Sequence, residues 1–181
     1  MSQGLTVTML VTLAYCASFL TVSAIAPIQR ALIPGYGDLA AVFFLPHGVR
    51  VLAFFFLGWM ALAHLLPGKV IMWAATAYLF GHASLSIWGS IVSLLSCLVA
   101  YEITKIIFRH HGDGRPRFSW QMVMTMGLIA SLFNATGLTL LQAQRPELTT
   151  MAVYVLGDML GLTCLMLGLM AYFRWSDRRG S

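Results

Sequence analysis

His47, Arg50, Asn134 and Asp158 are the side chains best equipped for chemistry in an otherwise apolar sequence. His47 and Arg50 fall in FFLPHGVRVLAFFF, residues 43–56, among phenylalanines, leucines and valines. Asn134 falls in SLFNATGL and Asp158 in YVLGDMLGLTCLM. A guanidinium offers a rigid fork of donors that matches a carboxylate or phosphate. Asp accepts, while His and Asn can do both. This set suits the binding of a polar, anionic small molecule. It is not a catalytic constellation: there is no GxSxG, no HExxH, no paired carboxylates and no phosphate loop, so no enzyme activity is expected.

The elements that must carry these residues follow from composition. The chain is 59% hydrophobic and 9% charged, against about 25% charged in soluble domains. The expected fold class is all-α, a polytopic membrane helix bundle in one domain, 1–181. A crossing needs about 20 apolar residues. Six segments qualify or nearly do: 5–26, 39–66, 70–81, 85–108, 120–143 and 148–175. The second holds Pro46 and ends at Pro67-Gly68, and the third is short. With the N-terminus in the cytoplasm and all six crossing, Lys69, Lys105, Arg109, Arg115, Arg117, Arg174, Arg178 and Arg179 lie inside, against Arg30 and Arg145 outside. That obeys the positive-inside rule and places both termini in the cytoplasm. The N-terminus lacks the basic region and cleavage site of a signal peptide, so the first segment is expected to be retained.

An arginine near the membrane centre costs about 2.5–3.5 kcal/mol even on insertion scales, so it needs a partner or a wet cavity. Counting residues from the outer face puts Arg50 and Asp158 at nearly equal depth, about 1.5 Å of rise per residue, with Asn134 close to the same level. His47 shares a helix face with Arg50 at i−3. Pro46 and Gly48 predict a break in the second helix beside them, because proline removes a backbone donor and clashes with the preceding turn. Broken helices at membrane depth line cavities or lie buried in protein. Two readings stay open: an Arg50–Asp158 salt bridge that only holds helices in register, and a ligand pocket built from His47, Arg50, Asn134 and Asp158.

The remaining polar residues have simpler readings. Glu102 and Lys105 form a local i,i+3 pair, and His64 is expected at the interface. His82 belongs to a loop. His110, His111 and Asp113 sit in a solvated basic loop rather than a metal site. Cys16, Cys97 and Cys164 have no metal or disulfide spacing and read as buried free thiols. No metal, no cofactor and no nucleic-acid partner are expected. Ala14, Ala17, Ser18 and Thr21 form a small-residue face suited to docking a protein partner, and Gly157 and Gly161 form a second close-packing pair.

Two stretches carry a resemblance. FFLPHGVRVLAFFFLGW, followed by HLLPGK, resembles the opening signature of the membrane-associated sensor (MASE) family, and YVLGDMLGLTCLM resembles its late Gly-Asp-x-x-Gly motif. The resemblance implies a sensor-like domain of a bacterial inner membrane, although family members are longer, with about eight spans and fused signalling domains. Six helices in about 180 residues are also similar in architecture to the substrate-binding subunits of energy-coupling-factor vitamin transporters. Three functions are therefore carried forward: a small-molecule-binding sensor without its own output domain, a transport subunit, and a non-catalytic accessory subunit of a membrane complex.

Overall fold

A computed structural model describes residues 3–32, 43–80, 87–108, 119–141 and 148–180. Among them are six α-helices: α1 Gln3–Leu32, α2 Leu45–Leu57, α3 Ala61–Phe80, α4 Ile87–Phe108, α5 Trp120–Leu141 and α6 Leu148–Gly180. A 3-10 turn, Gly58–Met60, joins α2 to α3. Five segments among the described residues are long and apolar enough to cross a membrane, one of them running unbroken in hydropathy from Leu45 to Ala75. The chain is thus a multi-pass membrane protein, and its many exposed leucines, isoleucines and phenylalanines are the surface a bilayer requires.

The Leu45–Ala75 stretch is not one rod. Gly58 has φ 57°, and the turn folds α3 back along α2. As a result Arg50 and Lys69, on opposite arms, line one cavity. The 39–66 and 70–81 segments expected from sequence are corrected accordingly. The turn lies at Gly58–Met60, not at Pro67-Gly68, and Pro67 sits inside α3, which has 20 residues rather than 12. Of the break expected at Pro46 and Gly48, the structure describes only the downstream side, a continuous helix from Leu45 that contains both residues; residues 33–42 lie outside those described. Pro46 and His47 lie in the first turn of α2, where a missing N–H costs nothing.

α2 has 13 residues, about 20 Å at 1.5 Å each, which is short of a hydrocarbon core about 30 Å thick. It forms the axis of the bundle. Residues Pro46 through Phe54 are all buried, and α2 touches each of the other five helices. Its start is pinned on α6: Phe44 N–H donates to the Gly157 carbonyl at 3.1 Å. A Cβ on Gly161 would stand 2.4 Å from the Phe44 carbonyl carbon, so the Gly157/Gly161 pair serves packing within the chain.

Side-chain neighbours fix the helix directions. The pairs Thr8–His64 and Tyr15–Gly68 make α1 and α3 parallel. Gly48 against Leu162 and Leu165 makes α2 parallel to α6. Gly127 with Leu162 and Ser131 with Asp158 make α5 antiparallel to α6, and Gly89–Leu138 with Val92–Gly137 make α4 antiparallel to α5.

Several single-residue expectations meet the structure here. His64 is buried, with a ring nitrogen 2.7 Å from Thr8 Oγ1. Of the cysteines, Cys97 is buried, Cys16 half-buried and Cys164 exposed on a lipid-facing side of α6; all three are free. Lys105 donates to Glu102 at 3.1 and 3.2 Å, and Glu102 also accepts from Trp59 Nε1 at 2.7 Å. On α1, Ala14, Ala17 and Thr21 are exposed, but Ser18 faces inward and donates to the Tyr15 carbonyl. His82, His110, His111 and Asp113 lie outside the described residues.

Candidate functional site

α2 brings His47 and Arg50 to the bundle axis, α5 brings Ser131 and Asn134, and α6 brings Asp158. His47 is fully buried, and Arg50 and Asp158 are 2% and 3% exposed. All four residues expected from sequence therefore meet at one level, but not as an Arg50–Asp158 pair. His47 stands between them: its Nδ1 lies 3.4 Å from an Arg50 terminal nitrogen and 3.3 Å from Asp158 Oδ2. No Arg50–Asp158 contact falls within salt-bridge distance, which corrects the direct bridge considered above.

The other ring nitrogen settles part of the tautomer. His47 Nε2 is 3.2 Å from the Gly127 carbonyl, and a carbonyl only accepts, so Nε2 carries a proton. Nδ1 then has two options. Unprotonated, it accepts from Arg50; protonated, it donates to Asp158. At Gly127 α5 lies close on α6: a Cβ there would meet Leu162 Cδ2, and that side chain would have to move.

Asp158 is further held by donors from α5. Ser131 Oγ donates to Oδ2 at 2.9 Å and Asn134 Nδ2 at 3.4 Å. Ser131 escaped the sequence reading, although its position one turn before Asn134 puts it on the same face of the helix. Two buried atoms of the cluster have no hydrogen-bond partner: Arg50 Nε and Asn134 Oδ1.

Beside the cluster opens a cavity of about 310 Å³, lined by Arg50, Asn134, Ser93, several aromatic rings and Lys69. Lys69 is the residue the sequence reading misplaced. Taken as a cytoplasmic boundary charge after Pro67-Gly68, it is 8% exposed and donates to Ser93 Oγ at 2.5 Å. Reading the turn at Gly58 instead would have moved it to the interior. Neither cation has a carboxylate within 4 Å among the described residues. No cluster of three metal-ligating side chains occurs among the described residues. Chemically, the site can hold an anion and supply both donors and acceptors to it. No protein-family model, curated protein or solved structure matches the chain.

Proposed function

We propose that this protein is a sensor-like, small-molecule-binding protein of a bacterial inner membrane, with six crossings, both termini in the cytoplasm and its output supplied by a partner protein. One observation carries the reading: two buried basic side chains, Arg50 and Lys69, line a single cavity without a facing carboxylate among the described residues. Isolated buried charge is costly, and charges at membrane depth mark ligand and ion sites. In this reading Arg50 binds the anionic group of the ligand. The His47 ring, its Nδ1 accepting from Arg50, positions the guanidinium, and Asn134 supplies a hydrogen bond. The α2–α3 hairpin gives binding a mechanical consequence, because a ligand held by both cations ties its two arms together.

A second reading, the substrate-binding subunit of a transporter, is favoured by the exposed Ala14, Ala17 and Thr21 on α1, a face narrow enough for close docking of another helix. Native mass spectrometry of mildly purified wild type and Arg50→Ala tests the common core of both. A small molecule on the wild type that is lost from Arg50→Ala is the expected result. Apo masses for both proteins would favour an accessory subunit with a purely structural polar cluster.

A further inference from the structure

Arg50 and Lys69 reach the cavity from opposite arms of the hairpin, and each leans on an aromatic ring. The Arg50 guanidinium carbon is 5.7 Å from the centre of the Phe44 ring, and the Lys69 nitrogen is 5.6 Å from that of Tyr15. Asp158 already accepts from Ser131 and Asn134. One carboxylate gives the unpartnered Arg50 Nε an acceptor and stands within reach of Lys69, whose ammonium it would hold charged against the cost of burial.

The walls speak to the rest of the ligand. Phe19, Phe44, Tyr15, Trp73 and Trp88 all line the space, whereas elsewhere the helices present mostly aliphatic side chains. Rings pack by offset stacking and edge-to-face contact, which favours a flat partner over a flexible chain. A volume of about 310 Å³ is at the small end of ligand pockets and suits one or two fused rings, not a whole phospholipid. Resting on the ligand-binding reading above, we infer that the ligand is a compact aryl monocarboxylate, its carboxylate shared by Arg50 and Lys69 and its ring held among the aromatic side chains.

The test is scintillation-proximity binding of radiolabelled 2-naphthoate to purified wild-type protein, with competition by unlabelled 2-naphthoate, 2-naphthamide, octanoate and inorganic phosphate. Losing a charge-assisted bond weakens binding by about tenfold or more. The amide is therefore expected to compete at least about tenfold more weakly than the acid, with octanoate and phosphate weaker still. Lys69→Met and Arg50→Lys, checked for folding by gel filtration, are expected to lose about tenfold in affinity, and Gly168→Ala, which has open space around it, to lose nothing. Octanoate or phosphate competing as well as 2-naphthoate would overturn the aryl inference while leaving an anion site. An absence of saturable 2-naphthoate binding would also overturn it, and a ligand co-purifying with wild type but not Arg50→Ala would then show that the broader reading survives.

Discussion

At the residue scale, the polar cluster works through His47 rather than by direct contact of opposite charges. Removing Arg50 or Asp158 alone takes the nearby opposite charge away from the other and is expected to destabilise the protein. The interposed ring gives a sharper expectation. In a double-mutant cycle with Arg50→Met and Asp158→Leu, followed by reversible unfolding in mixed micelles, the two sites are coupled in the presence of His47. In a His47→Phe background the coupling is expected to fall but not to vanish, because the two buried charges still attract through space. Undiminished coupling without His47 would mean that the imidazole carries none of it. Ser131→Ala removes the shortest bond to the Asp158 carboxylate and is expected to cost about 1.5–3 kcal/mol, as for bonds to charged groups. The meeting of His47, Arg50, Asn134 and Asp158 was legible in the sequence because so few strongly polar residues occur in these helices that equal depth leaves them little choice of partner. The interposed imidazole was not legible: spacing places His47 and Arg50 on one face but does not say which of them reaches farther toward α6.

At the element scale, the α2–α3 hairpin is the feature the sequence hid. Proline followed by glycine at 67–68 is stronger punctuation than a lone glycine in FFFLGWMALAH, yet the chain turns at Gly58, where the backbone adopts φ 57°. Pro67 is absorbed into α3, and the turn carries Lys69 from a supposed boundary to the cavity wall. Gly58→Ala is strained twice, by its φ and by a Cβ 2.9 Å from Tyr101 Oη, and is expected to cost about 1–3 kcal/mol. Tyr101→Phe in the same background should return only the steric part. Gly161→Ala places a Cβ against Phe44 backbone atoms, which cannot swing aside as a side chain can. A loss of about 1–3 kcal/mol, typical of overpacking, is expected in thermal unfolding, with Gly168→Ala near zero as its internal control. Equal effects at 161 and 168 would contradict the close seating of α2 on α6.

At the scale of the whole molecule, the segments 85–108, 120–143 and 148–175 read from hydropathy lie within a few residues of α4, α5 and α6, because there one apolar run makes one helix. Hydropathy fails only where one run makes two helices. Helix order then matters for topology. With α1 and α3 parallel, and α2 and α6 opposed to them, the Arg174, Arg178 and Arg179 end of α6 belongs on the same side as the start of α1. A reporter enzyme fused after Ser181 should be active in the cytoplasm, in keeping with the positive-inside rule; activity on the far side would mean either the inverted orientation or an odd number of crossings. The cavity, the polar cluster and the hairpin make one arrangement, in which an anion joins Arg50 on α2 to Lys69 on α3 while His47 holds Arg50 from behind. The most direct measurement is an experimental density map of the protein purified from membranes without a stripping step. The expected map has non-water density between Arg50 and Lys69, with the His47 ring between Arg50 and Asp158. A guanidinium paired directly with the Asp158 carboxylate, beside a cavity closed or holding only water, would contradict it.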